Sequence, residues 1–268
     1  MPTNATFKAE GITNHITDWL RSYAENAKVK GFVVGISGGI DSAVTSTLCA
    51  LTGMPTLCVE MPIHQAPSQV TRAQEHIAAL KKRFSNVTDA RADLTPVFET
   101  FKQQVPGSDE QARLDLTLAN TRARLRMATL YYYAGLNQAL VAGTGNKVED
   151  FGVGFFTKYG DGGVDLSPIA DLMKSEVREL AKYLMVPESI IQAKPTDGLF
   201  GDDRSDEDQL GASYDELEWA MAQMYAGKDE NEFTGREQEV FRIYKRLNTI
   251  NQHKMQPIPV CEIPLNLT

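Results

Sequence analysis

The stretch GISGGIDSAV (residues 35–44) overlaps the apolar run FVVGI (32–36). It leads into Ile40, Ala43, Val44, Thr47, Leu48 and Leu51, which recur at helical spacing. A glycine-rich turn between a buried strand and a helix is where an open α/β sheet binds anions. Glycines let the backbone come close, successive N–H groups form a nest, and the helix presents its positive end. Gly35, Gly38 and Gly39 provide the close approach, and Ser37 and Ser42 add hydroxyls. The Gly-x4-Gly-Lys-Ser/Thr loop that grips β- and γ-phosphates carries a lysine. This stretch has none, and an acid, Asp41, stands in it. A carboxylate repels a bare phosphate but suits a magnesium ion held between it and phosphate oxygens, because hard cations take carboxylate ligands. The stretch therefore fits a magnesium pyrophosphate better than a lone phosphate. Taken alone, it fits a strand-to-helix turn with a helix-end charge equally well.

Working outward, TLCVEM (56–61) and ALVAGT (139–144) are continuous apolar runs that suit strands covered on both faces, and VTDARADL (87–94) is a fourth candidate. Val70, Ile77, Leu80 and Phe84 share one stripe of a helix with Ser68 as its N-cap, and a long helix spans about 109–137. This alternation predicts a parallel, doubly wound, Rossmann-like α/β sheet with helices on both faces. Residues 145–168, rich in Gly and Asp and closed by Pro168, read as a long ordered loop. A helix over about 171–184 follows, then an acidic, glycine-bearing segment (194–211) expected to be mobile. Helices at about 213–226 and 235–250 lead to an extended, proline-containing tail. No repeat or linker divides the chain, so residues 1–268 read as a single domain.

Composition narrows the function classes. Hydrophobic residues make up 42% and charged residues 23% of 268, ordinary for a globular protein. The net charge of -8 offers no basic field for nucleic acid. Cys49, Cys58 and Cys261 are scattered, with no Cys-x-x-Cys pair that would suggest a disulfide framework or zinc site. No segment approaches the roughly 18 apolar residues of a membrane span, and no signal-type apolar segment opens the chain. A cytoplasmic location is expected.

SGGIDS (37–42) resembles the signature of the ATP pyrophosphatases, which cleave ATP between its α- and β-phosphates. GTGNKVE (143–149), GFFTKYGDGGVDLSP (154–168), KPTDGL (194–199) and SYDELE (213–218) together are similar to the NAD synthetases of that group, from about residue 12 to His253 and Lys254. The resemblance implies that Gly35, Ile36, Ser37, Gly38, Gly39, Ile40, Asp41 and Ser42 hold ATP, with Thr144, Lys174 and Thr196. It implies that Asp41 and Glu149 share Mg²⁺ and that Asp41 and Lys174 act in catalysis. Asn120, Arg124, Lys158, Asp165, His253 and Lys254 would bind the dinucleotide. Asn120 and Arg124 lie four apart and share a helix face. One departure stands out: DFGV (150–153) makes the spacing after Glu149 one residue longer than the usual pattern. Residues 198–206 receive no role. His64 could line an adenosine pocket, although a satisfied loop histidine fits it better.

The implied reaction converts nicotinic acid adenine dinucleotide (deamido-NAD), ATP and ammonia to NAD, AMP and pyrophosphate through an acyl adenylate. Glutamine-dependent relatives add an amidohydrolase domain with a cysteine nucleophile. About 25 residues before the first strand leave no room for one, so free ammonia is the expected nitrogen source. The resemblance also implies a homodimer with the dinucleotide at the subunit interface, for which LYYYAGL (130–136) is the candidate surface.

Overall fold

The computed structural model describes residues 7–196 and 205–267. Four strands, β1 (Phe32–Gly35), β2 (Thr56–Glu60), β3 (Val87–Arg91) and β4 (Leu140–Val141), form one parallel sheet in the order β3-β2-β1-β4. Its register pairs Phe32 with both Thr56 and Leu140. The sheet is buried on both faces, which is why its central strands are apolar without alternation. Phe32 and Val34 point into one core with Leu20, Leu48 and Leu180, while Val33 points into the other with Val59, Phe98 and Val141.

Helices α1 (Ala9–Asn26), α2 (Ile40–Leu51) and α3 (Pro67–Arg83) are followed by α4 (Thr95–Gln104) and the 27-residue α5 (Gln111–Asn137). Then come α6 (Lys174–Tyr183), α7 (Glu188–Ile191), α8 (Asp206–Leu210), α9 (Tyr214–Tyr225) and α10 (Gly235–Met255). Residues of α1, α2 and α6 fill the first core, whereas α4 and α5 cover the other face, so the doubly wound α/β arrangement holds. A third cluster joins α9 and α10 through Leu217, Met221, Val240 and Tyr244, with Val148 and Val153 against it.

Several boundaries differ from expectation. Helix α1 was not anticipated, because its surface is polar; only Ile16, Leu20 and Ala24, four apart, form its buried apolar stripe. Helix α4 likewise buries a single large residue, Phe98. Ser68 is not the N-cap of α3: Pro67 takes the first helical position, where its missing N–H costs nothing, and Ala66 is the cap. The expected loop 145–168 contains a π-helical turn, Val148–Val153, ended by Gly154 at φ 66°. Beyond β4, Ala142 bridges Leu166 in parallel, which extends the sheet edge. Of the segment expected to be mobile, residues 197–204 lie outside the described residues. Residues 206–210 are the ordered helix α8, with Ser205 accepting from the Asp208 N–H as its cap. No helix among the described residues is long and apolar enough to cross a membrane.

The strand entries are tight. A Cβ added at Gly31 would lie 1.9 Å from the Pro55 carbonyl oxygen, the acceptor of the first β1–β2 hydrogen bond from Phe32. Gly31→Ala is expected to cost about 2–4 kcal/mol, read as a fall in urea midpoint without a change in slope. An unchanged midpoint would show that β1 and β2 separate freely here.

Candidate active site

A cavity of about 280 Å³ opens at the carboxyl ends of the strands, where parallel sheets bind ligands. Residues 35–42 line it together with Thr144, Gly145, Glu149, Lys174, Thr196 and Asp206. All the residues assigned to ATP and metal on the sequence are thus brought to one space. The loop is tied to itself: Ser42 Oγ donates to the Gly39 carbonyl at 2.9 Å, and the Ser37 and Ser42 hydroxyls are 3.1 Å apart. Gly38 has φ 81°, a conformation that suits glycine.

Asp41 is the second residue of α2, and Lys174 is the first of α6. The Lys174 ammonium, 3% exposed, donates to Asp41 Oδ2 at 2.6 Å and to Glu149 Oε1 at 3.1 Å. Burial pulls the Lys174 pKa down, but Asp41 and Glu149 outweigh it and drive it above the ordinary lysine value. Asn146 holds the arrangement from below. Its Nδ2 donates to Asp41 at 3.2 Å, while its Oδ1 accepts from the Val148 and Glu149 N–H groups. Tyr214, fully buried, donates its hydroxyl to Glu149 Oε1 at 2.5 Å and to Asp206 at 3.4 Å. Burial first, then Glu149 and Asp206, push its phenol far above the usual range.

Asp150 sits beside this set against Gly145. Burial, then the charges of Glu149, Asp161 and Asp41, push its pKa up to about 8. Among the described residues no group of three or more His, Cys, Asp or Glu is arranged to hold a metal ion. A cation bound by Asp41 and Glu149 would complete its shell with phosphate and water oxygens.

The residues expected to bind the dinucleotide do not line this cavity. Five of them gather around the loop 154–160. Asn120 Oδ1 accepts from Thr157 Oγ1 at 2.6 Å, and Arg124 reaches the Lys158 carbonyl at 3.3 Å. Lys158 donates to the His253 carbonyl, and Lys254 to the carbonyls of Gly154 and Phe156 at 2.8 and 2.9 Å. Burial lowers the Lys254 pKa. Asp165 stands apart at the sheet edge, accepting from the Val141 N–H at 2.8 Å and from Tyr131 OH at 3.0 Å. Burial and this contact push the Tyr131 phenol up to about 12. His64 pairs with Glu99 at 2.8 Å and lines no part of the cavity.

The NAD synthase family model matches residues 12–258, nearly the whole chain. The chain belongs to the NAD synthase family. The NH3-dependent NAD+ synthetase of Methanococcoides burtonii is 41% identical over 217 residues, 80% of this chain and 79% of that one. The corresponding enzyme of Methanosarcina mazei is 38% identical over 95% of this chain and 98% of its own. Among solved structures, the NMN synthetase of Francisella tularensis superimposes with a TM-score of 0.82 at 31% identity, covering 96% of this chain and all of that one. Membership makes the chain a ligase that binds ATP.

Asn146 and Tyr214 lay inside the motifs GTGNKVE and SYDELE but had no role on the sequence; a polar residue's neighbours are invisible until the fold is known. Asp150 fell in the segment of odd spacing.

Asp150 also predicts a pH effect. Its folded pKa of about 8 lies above its ordinary 3.8, so the folded state holds a proton that the unfolded chain has released between these values. Stability from this group is complete below about pH 4 and lost as pH rises toward 8. In metal-free protein, Asp150→Asn should match wild type near pH 4 and become progressively more stable than it up to pH 8. Parallel melting curves across that range would remove Asp150 as the cause.

Proposed function

We propose that the chain joins ammonia to deamido-NAD at the expense of ATP, giving NAD, AMP and pyrophosphate through an acyl adenylate. The observation that carries this reading is the convergence of Asp41, Glu149 and Lys174 at a glycine-rich strand end in a chain of the NAD synthase family.

The pyridine carboxylate oxygen attacks the α-phosphorus, and the bond to the bridging oxygen breaks as pyrophosphate leaves. Ammonia then forms the amide bond to the acyl carbon, AMP departs with the C–O electrons, and the nitrogen loses a proton. The protein contributes position and charge, as a loose phosphoryl-transfer transition state requires. The loop N–H groups and the α2 terminus hold the departing phosphates, and Lys174 stabilises charge as it develops. Asp41 and Glu149 fit a Mg²⁺ ion, two carboxylates meeting at one point now held by an ammonium. When bound, Mg²⁺ would neutralise the pyrophosphate.

In this reading the cluster of Asn120, Arg124, Lys158, His253 and Lys254 takes the dinucleotide end remote from the cavity, and Asp165 orders the sheet edge beside it. A homodimer would cover the exposed α5 side chains Tyr132 and Leu136, which are 64% and 65% accessible. A single domain acting in the cytoplasm, using free ammonia, completes the proposal. A second reading replaces the dinucleotide by nicotinic acid mononucleotide, favoured by the structural likeness to the Francisella NMN synthetase.

Incubation with Mg-ATP, ammonium and deamido-NAD, each omitted in turn, should give NAD and AMP in equal amounts only when all are present. Asp41→Ala and Glu149→Ala are each expected to lower kcat by at least about 100-fold. ATP left intact in every mixture would sink the synthetase reading. Run in parallel, the mononucleotide should be the poorer substrate by kcat/KM; the reverse order would establish the second reading.

A further inference from the structure

The glycine-rich loop lacks the lysine of other phosphate loops, and the cation that could replace it locally is already committed. Lys174 is enclosed by Asp41 and Glu149, so this trio carries no surplus positive charge. Arg178, one turn along α6, lines the cavity but pairs with Asp215 at 3.6 Å.

Helix α3 presents a different cation. Its first turns press on the loop so closely that a Cβ on Gly38 would lie 2.4 Å from the Gln69 carbonyl oxygen. Ala73 and His76 are buried on the same helix face, and His76 Nε2 lies 2.9 Å from Ser46 Oγ on α2. This packing seats the helix, and Arg72 on it, against the loop. Arg72 lines the cavity, and its Nε donates to the Gly38 carbonyl at 3.1 Å. No acid pairs with it among the described residues, and its terminal nitrogens have no protein partner there. A guanidinium anchored by one N–H on a phosphate-binding loop keeps a planar fork for phosphate oxygens.

We propose that Arg72 supplies, from outside the loop, the phosphate-binding cation that the loop lacks, contacting the β/γ end of ATP and the pyrophosphate released from it. The assignment rests on the reading that the cavity takes ATP. It differs from loop-lysine binding in one respect: the charge rides on a separate helix, so phosphate binding is coupled to the docking of α3 on α2.

The test uses inorganic pyrophosphate and AMP as separate product inhibitors of the full-length protein, with wild type, Arg72→Met and Arg72→Lys. Arg72→Met should weaken pyrophosphate inhibition and raise the KM for ATP by about 10- to 100-fold, with AMP inhibition changed by less than about twofold. Arg72→Lys should recover part of the loss and, should the methionine variant fail to fold, carries the test through the same selective weakening of pyrophosphate. A merely structural Arg72 would weaken AMP and pyrophosphate alike, and that result overturns the assignment. Unaltered pyrophosphate inhibition in a folded variant overturns it too. Wild type that forms no AMP from ATP would defeat the ATP reading itself, whereas active wild type with an indifferent variant defeats only Arg72.

Discussion

One ammonium ion, that of Lys174, joins three parts of the chain that the sequence keeps far apart. It contacts Asp41 on α2 and Glu149 in the π-helical turn, and it is itself the first residue of α6. Removing a charge from water costs several kcal/mol, and here two contacting carboxylates, the more remote charge of Asp206 and a stacked ring offset it. The ring is that of Tyr214, whose centroid lies 4.7 Å from the ammonium while its hydroxyl serves Glu149. The strand ends, the turn after β4 and helices α6 and α9, packed by their apolar cores, therefore meet at one buried charge. Without the lysine, two carboxylates would face each other in a partly dry space.

The cavity is lined by charges of both signs. Asp41, Glu149 and Asp150 come from the start of α2 and the turn after β4, while the helices bring Lys174 and Arg178 from α6, Arg126 from α5 and Arg72 from α3. In the proposed reading a polyphosphate would lie among these groups, its oxygens shared between backbone N–H groups and side-chain cations. The π-helical turn belongs to this design. Within the turn, Asp150 lies against Gly145, where a Cβ would come within 2.1 Å of the carboxylate.

Much of the frame was legible in the residues. Continuous apolar runs announced the central strands because both sheet faces are covered, and the Ile40–Leu51 periodicity announced α2. Helices α1 and α4 were missed for the opposite reason: each buries so narrow a stripe that its composition is that of a solvated surface. The expected loop at 145–168 concealed a π-helical turn, since a single widened turn leaves no periodic mark. Of the site, the loop and Asp41 could be read from local chemistry, while Glu149, Lys174 and Thr196 were reached only through resemblance. The dinucleotide residues were grouped by the same resemblance; the structure gathers five of them around one loop and leaves Asp165 at the sheet edge.

The sequence by itself determined the glycine turn between strand and helix, the acid within it and the layered α/β order, because these depend on neighbours within a few residues and on hydrophobic period. Only the tertiary structure decided which charges meet. Asp41 and Lys174 are 133 positions apart, and Glu149 and Tyr214 are 65 apart. A lysine or arginine on a helix has the same local signature whether it faces water or a buried carboxylate. Its partner is chosen by the crossover topology that brings strand ends together, and that choice is written in no single stretch of the chain.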